Sequence, residues 1–291
     1  SGVHMESGSG RVADRPRRSV LYLPAANARA IEKARSLPAD CLILDLEDAV
    51  SPDLKESARA AAVAAAAQGF GGREVTIRVN GVATRWFEAD AAAVAASAAD
   101  AMVVPKIDGP ADAAQAVAAA GGKPVWVLIE TPKAVLAADA IAAVPGVTGL
   151  VAGFADLAKD LHARPGKGRE PLLLAMGMIV LAARAHGILA FDGVFIDLDD
   201  PAGLEAETRA ARDFGFDGKT CIHPSQLQLV NHLFSPSADE IAEARALIAA
   251  HEAALAEGRA VSTHRGKMVE VLHVAEARRL LAIAAAIGVD G

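Results

Sequence analysis

The sequence predicts an α/β fold, a (β/α)8 TIM barrel followed by a small C-terminal helical extension. Short apolar or β-branched runs alternate with alanine-rich stretches of helical length, and eight such units recur at a spacing of roughly 20 to 35 residues. Strands that alternate with helices imply right-handed crossovers and a parallel sheet. A chain of 291 residues suits one such domain. Eight repeats favour a closed barrel over an open, doubly wound sheet.

The strands are predicted from the apolar runs. In chain order they are residues 19–23, 41–45, 74–79, 101–104, 125–129, 148–152, either 188–191 or 194–196, and 216–222. Helices are predicted at 55–68, 110–120, 133–143 and 204–214. After Pro236 the pattern changes to a long helix at 238–257, a loop with Gly258 and Gly266, and a last helix near 274–285. We therefore expect a barrel domain over 15–235 and an extension over 236–291.

Composition excludes several classes of protein. The net charge is -7, and no lysine- or arginine-rich run opposes it, so nucleic acid is not an expected partner. The longest nearly uncharged apolar run, 172–183, is shorter than the roughly 20 residues that cross a bilayer. Cys41 and Cys221 lie in apolar runs without metal-site spacing, which indicates reduced core thiols. No leader pattern is present, so we expect a cytoplasmic protein. Residues 1–14 are interpreted as an expression-tag remnant and a disordered tail.

Polar residues follow five successive predicted strands, at the end of a parallel barrel where reactive groups gather. In chain order they are Asp45, Glu47, Asp48, Arg78, Asn80, Lys106, Glu130 and Asp156. A helix cap or a solvated loop explains any one of them. Their convergence from neighbouring strands favours a functional site.

The residue types indicate the chemistry. Glu130 and Asp156 lie 26 residues apart, one strand and helix unit, so both side chains are expected at one point. Two carboxylates with water in the remaining positions are typical of a Mg²⁺ site, and the absence of a nearby histidine or cysteine disfavours zinc. Arg78 offers a fixed, planar cation to a substrate carboxylate or an oxyanion. Glu47 and Asp48 are candidates to hold metal-bound water. No glycine-rich phosphate loop supports a nucleotide cofactor.

The chain resembles the citrate lyase beta subunit family, within the wider aldolase and lyase superfamily, over roughly residues 15 to 290. The matching motifs are RRSVLYLP (17–24), LDLEDAV (44–50), RVN (78–80), VPK (104–106), IET (129–131) and GKTCIHP (218–224). The resemblance implies a TIM barrel, acyl-CoA substrates of the citryl, citramalyl or malyl type, magnesium on Glu130 and Asp156, substrate recognition by Arg78, and a homotrimer. It also implies substrate contacts at Arg18, Lys33, Lys55 and Lys106.

Several positions depart from the family pattern. The first strand is followed by Pro24-Ala25-Ala26 instead of Pro-Gly, Phe154 and His162 flank Asp156, and Ala175-Met176-Gly177 replaces an Ala-Arg pair. The C-terminal GKMVE motif (266–270) ends in Glu270 where relatives carry an aspartate that reaches a neighbouring subunit's active site. Glu270 is therefore a candidate acid or base. His223 is interpreted as a structural residue of the loop after the last strand.

The expected function is Mg²⁺-dependent cleavage of a carbon-carbon bond in a hydroxyacyl-CoA thioester, with Arg78, Glu47, Asp48 and Glu270 as the candidate catalytic residues. Two alternatives remain open among enzymes: an aldolase that acts on free keto or hydroxy acids, and a citrate lyase subunit that acts on an acyl-carrier-protein thioester. A degenerate binding protein is disfavoured because the arginine and the carboxylate pair are all present. The sequence also leaves open whether thioester hydrolysis follows.

Overall fold

The computed structural model describes residues 15–289 and contains a closed barrel of eight parallel strands in sequential order. The predicted barrel is confirmed. The strands are β1 (Ser19–Pro24), β2 (Cys41–Asp45), β3 (Glu74–Arg78), β4 (Ala101–Val104), β5 (Val125–Ile129), β6 (Val147–Ala152), β7 (Leu189–Asp192) and β8 (Gly218–Cys221). Of the two predicted positions for the seventh strand, 188–191 agrees with β7 to within one residue at each end. The other position, 194–196, lies in the loop after the strand.

The helices on the outside of the barrel follow the predicted rhythm. They are α1 (Ala28–Ala34), α2 (Lys55–Gln68), α3 (Phe87–Ala96), α4 (Pro110–Ala119), α5 (Pro132–Leu136), α6 (Ala138–Ala142), α7 (Phe154–Asp160), α8 (Leu173–Ala185), α9 (Pro201–Phe214) and α10 (Leu227–Phe234). The helix predicted at 133–143 is divided at Ala137, which ends α5 and begins α6 with φ -100 and ψ 10.

The core of the barrel is mostly aliphatic, as the low aromatic content predicts. Trp126 and Phe191 are fully buried, and their ring centroids are 4.9 Å apart. Gly149 leaves room for Trp126, since a Cβ at this position would lie 2.9 Å from the indole. Cys41 and Cys221 are both buried as thiols, which agrees with their interpretation as core residues. Within the described residues, no helix is both long and apolar enough to cross a membrane.

A second compact unit begins at Phe234. It contains α11 (Ala238–Ala256), a hairpin of β9 (Ser262–His264) and β10 (Lys267–Val269), and α12 (Val271–Ile287). Ser237 and Glu240 form a capping box at the start of α11. The loop predicted between the helices is wrong in part, because it folds into this antiparallel hairpin, turned by Arg265 and Gly266 at positive φ. The domain boundaries stay a prediction, and the tail predicted over 1–14 lies outside the described residues.

Candidate active site

The carboxyl ends of the strands form one mouth, as expected for a parallel barrel. Asp45 and Arg78 are the last residues of β2 and β3 and are register partners. Glu130 follows β5 directly, and Asp156 lies in the first turn of α7, after β6. These four side chains line one cavity of about 440 Å3, together with Tyr22, Asp48 and apolar residues from β5, β6 and the loops after β7 and β8. The sequence prediction that they meet at one end of the barrel agrees with this arrangement.

Asp45 holds the Arg78 guanidinium in a fixed orientation. Arg78 Nε and Nη2 donate to the two Asp45 carboxylate oxygens, each at 2.7 Å. Asp45 is itself fixed by the backbone N–H groups of Glu47 at 2.9 Å and Ala49 at 3.3 Å. The Tyr22 ring lies beside the guanidinium, 4.8 Å from Cζ to the centroid. Nη1 remains directed towards Glu47 and is the donor available to a ligand.

Glu47 is a buried carboxyl whose pKa lies near neutrality. Burial raises the pKa to about 7; Arg78 opposes the rise, while the charges of Asp48 and Glu130 add to it. Glu47 Oε1 lies 3.4 Å from Arg78 Nη1, and among the described residues this buried atom has no hydrogen-bond donor. A carboxyl with this pKa can both accept and return a proton at neutral pH, which is what an acid or base catalyst requires.

Glu130 and Asp156 share a cation supplied by the protein. Lys106 Nζ lies 2.9 Å from Asp156 Oδ2 and 3.6 Å from Glu130 Oε2, and the Lys106 backbone N–H donates to Glu130 Oε1 at 2.7 Å. Burial raises the pKa of Glu130 although Lys106 opposes it. The pKa of Asp156 is instead lowered. Burial raises this pKa, but the hydrogen bonds with Lys106 and Glu130 lower it by more than burial raises it. A side chain at Gly153 would place its Cβ 2.5 Å from the Glu130 Cβ, so glycine is needed there.

This pair of carboxylates fits a Mg²⁺ ion. Its donors are hard carboxylate oxygens at the rim of a cavity with room for water, and the Lys106 ammonium already occupies a cation's place between them. No group of three or more histidine, cysteine or acidic side chains suited to a metal is found within residues 15–289. That finding is compatible with Mg²⁺, which binds through one or two carboxylates plus water and substrate oxygens.

Two of the residues predicted to contact substrate, Arg18 and Lys55, bind other groups of the protein. Arg18 precedes β1 and so lies at the amino end of the barrel, opposite the cavity, where it forms an ion pair with Asp40 at 2.7 Å. Lys55 is buried, and its ammonium donates to the backbone carbonyls of Leu46 at 2.9 Å and Glu47 at 2.8 Å. The guanidinium of Arg18 and the ammonium of Lys55 are therefore both bound by other groups of the protein. Lys55 therefore supports the loop that carries Glu47, and its contact with a CoA phosphate stays a prediction.

Three other residues that the sequence singled out, Lys33, His223 and Glu270, lie outside the lining of this cavity. Lys33 is exposed in the last turn of α1 and does not line the cavity, so its contact with CoA stays a prediction. His223 is structural, because Nδ1 accepts from the Ser225 backbone N–H at 3.1 Å and caps the turn that follows β8. Glu270 is exposed and is the N-cap residue of α12; its backbone N–H donates to His273 Nδ1 at 2.9 Å. Its role in a neighbouring subunit's site also stays a prediction.

Sequence reasoning missed a buried cluster of four charges in the barrel wall. Asp192 accepts from Arg169 Nη1 at 2.9 Å and from Lys219 Nζ at 2.8 Å, and Glu207 lies 2.9 Å from Arg169 Nε and 3.4 Å from Lys219 Nζ. The guanidinium of Arg169 also faces the ring of Phe154, which lines the cavity. The sequence feature that could have indicated this cluster is Lys219, because a lysine inside a buried strand needs a negatively charged partner. The cluster fastens the loop before α8 to β7, β8 and α9.

Two family models and several known proteins match the chain. The model of the HpcH/HpaI aldolase/citrate lyase family matches residues 18–224, and a model of C-C bond lyases of the TIM-barrel fold matches residues 173–289. The chain is 46% identical to a (3S)-malyl-CoA thioesterase of Cereibacter sphaeroides, over 94% of this chain and 96% of that protein. It is 34% identical to the citrate lyase subunit beta of Escherichia coli, over 94% and 95%. The crystal structure of protein CitE from Mycobacterium tuberculosis with magnesium, acetoacetate and coenzyme A is similar with a TM-score of 0.78 and 31% identity, over 94% and 99%.

Proposed function

Because the chain belongs to the HpcH/HpaI aldolase/citrate lyase family, we propose that it is a magnesium-dependent enzyme that acts on a CoA thioester of the malyl-CoA class. The observation that supports this substrate class is the pairing, in one cavity, of a fixed guanidinium with two carboxylates suited to Mg²⁺. Such a cavity can hold the carboxylate and hydroxyl ends of a short hydroxy diacid while its thioester points to the open mouth.

We further propose that hydrolysis of the thioester is the principal reaction. Support comes from the full-length similarity to a malyl-CoA thioesterase, which is greater than the similarity to the citrate lyase subunit. Glu47 lines the adjoining cavity and lies 3.4 Å from Nη1 of Arg78, which lines the substrate cavity, and we assign Glu47 as the base. In this reaction a water molecule loses a proton to Glu47 and adds to the thioester carbonyl. The carbon-sulfur bond then breaks, and the thiolate of CoA recovers a proton from Glu47. We assign Arg78 Nη1, which lies 3.4 Å from Glu47 Oε1, as the donor to the oxyanion or to the terminal carboxylate.

Carbon-carbon cleavage is the second candidate, and the citrate lyase subunit supports it. Here Glu47 accepts the proton of the substrate hydroxyl, the adjacent carbon-carbon bond breaks, and a carbonyl acid is released. The enolate of the acyl-CoA that remains then takes the proton back from Glu47, which forms its new C–H bond and restores the carboxylate. Glu130 and Asp156 would hold Mg²⁺ in either reaction, and the metal when bound would supply a Lewis acid for the substrate oxygens. The aldolase and acyl-carrier-protein alternatives keep the same residues but use other substrates.

Assembly into a homotrimer is part of the same proposal. The extension exposes apolar side chains around its hairpin and the start of α12: Met268 is 57% exposed, Val271 75% and Leu272 58%. Exposed apolar groups of this density favour contact with another protein surface. Contact with a second copy of the chain would bring the neighbouring Glu270 to a partner's site.

Product analysis tests the proposal. Purified protein is incubated with Mg²⁺ and malyl-, citramalyl- or citryl-CoA, and two products are followed in parallel: free thiol, and carbonyl acid trapped as a hydrazone. Hydrolysis releases thiol without carbonyl acid, whereas carbon-carbon cleavage releases carbonyl acid without thiol. Turnover of none of the thioesters, with the protein folded and metal present, would contradict the proposed substrate class. Turnover only of free acids, or only of carrier-protein thioesters, would favour the alternatives.

A further inference from the structure

Lys106 has an unusual backbone conformation directly beside the candidate metal site. Its φ is 56°, in the left-handed region that side-chain-bearing residues seldom adopt. This conformation lets one residue contact Glu130 twice, with its backbone N–H at 2.7 Å from Oε1 and its ammonium at 3.6 Å from Oε2. The residue therefore has two separable parts: an amide that orients Glu130, and a charged side chain that neutralises it.

The ammonium occupies the position that a divalent cation needs. It lies between Glu130 and Asp156 and is hydrogen-bonded to Asp156 at 2.9 Å. A Mg²⁺ ion bound to the same two carboxylates would lie within a few ångströms of this ammonium, where like charges repel strongly. The two cations are therefore alternatives for one place.

We propose that Lys106 is a displaceable internal counter-ion, which neutralises Glu130 and Asp156 while metal is absent and leaves them when a divalent cation binds. This inference rests on the metal site of the proposed function. The amide bond from Lys106 to Glu130 does not depend on where the side chain lies, so Glu130 stays oriented during the exchange. Lys106 is thus a positioning residue that controls access to the metal ligands.

The surroundings provide a destination for the displaced side chain. Lys106 is 45% exposed, so its movement disturbs no packed core. It also lines a neighbouring cavity of about 360 Å3 whose acidic members are Glu47 and Asp48. An ammonium that leaves the metal ligands can therefore move towards these carboxylates and remain paired with negative charge.

Direct metal binding tests the inference without any substrate. Mn²⁺ is titrated into the full chain at low ionic strength, and free Mn²⁺ is followed by electron paramagnetic resonance. The variants are Lys106→Met, which removes the charge at similar length, and Lys106→Gly, which suits the left-handed φ and keeps the amide donor. Lys106→Arg keeps the charge but can pair bidentately with a carboxylate and is harder to displace. The matched control is Lys159→Met, which removes an equal charge one helical turn from Asp156 on α7.

We expect Lys106→Met and Lys106→Gly to bind Mn²⁺ at least about tenfold more tightly than the parent, and Lys106→Arg several-fold more weakly. Lys159→Met is expected to change the affinity by less than about threefold, because its charge acts only from a distance. Unchanged or weaker binding by both Lys106→Met and Lys106→Gly, with binding by the parent intact, would overturn the counter-ion role and leave the proposed function standing. Absence of Mn²⁺ binding in every protein would overturn both.

Discussion

Replacing Arg78 by lysine keeps the positive charge and removes the planar fork. In the structure two guanidinium nitrogens bind the two Asp45 oxygens at 2.7 Å, and the third is left for Glu47 and the ligand. A lysine ammonium cannot span both Asp45 oxygens and also present a donor to the cavity at the same point. One charge-assisted hydrogen bond contributes roughly 1.5–3 kcal/mol. If one such bond is lost in the transition state, kcat/KM falls about tenfold or more, because about 1.4 kcal/mol corresponds to a factor of ten.

The assay is steady-state turnover of the preferred thioester with saturating Mg²⁺. Arg212→Lys is the matched control, because Arg212 is exposed on α9 and its ion pair within the described part of the chain is with the neighbouring Asp213. Asp45→Asn provides a second arm, since it leaves Arg78 in place but weakens its alignment, and kcat/KM should fall here also. A Tm close to that of the parent shows that each variant is folded. Near-parental kcat/KM in Arg78→Lys would refute the reasoning, because it would mean that charge alone suffices.

Four further predictions address other parts of the structure. Glu130→Gln and Asp156→Asn should each abolish Mg²⁺-dependent turnover while circular dichroism stays unchanged; activity that persists in either variant would exclude it as a ligand. In metal-free protein the pKa of Glu47 is raised to about 7, so the stability that the neutral carboxyl contributes is fully present below about pH 4.5 and is lost as pH rises through about 7. In denaturant titrations the free energy of unfolding of Glu47→Gln should therefore depend less on pH than that of the parent. The same pH dependence in both proteins would contradict the raised pKa. Lys219→Met should lower the free energy of unfolding by about 3–5 kcal/mol, because it leaves buried carboxylates short of a partner; a loss below about 1 kcal/mol in urea titration would argue against that pairing. Mixed Glu270→Gln and Asp156→Asn subunits should recover activity that neither has alone, and failure to recover it with subunit exchange confirmed would leave Glu270 a surface residue.

Local patterns determined most of the barrel. The strands are short apolar runs and the helices are alanine-rich segments, so their positions depend on neighbouring residues and can be predicted from them. The parallel topology then places every residue that ends a strand at the same mouth. For this reason Asp45, Arg78 and Glu130 could be grouped before any distance was known.

The same reasoning failed where a side chain's partner is distant in sequence. Lys55 was predicted to contact substrate from the family resemblance, and only the folded loop shows that two backbone carbonyls accept hydrogen bonds from its ammonium. Arg18 belongs to a motif that matches the family, yet its place before β1 puts it at the far end of the barrel. The hairpin of the extension was predicted as a loop, because two strands of three residues carry little periodic signal.

The sequence by itself therefore determined the eight strand and helix units, the end of the barrel that holds the reactive groups, and the chemical types of those groups. Tertiary structure alone decided which charges are paired: Arg78 with Asp45, Lys106 with Glu130 and Asp156, and Arg169 with Asp192. The physical reason is one of range. Strand and helix periodicity arises from contacts between near neighbours, whereas the partner of a buried charge is set by three-dimensional distance and by the loss of water around it, which no local pattern records.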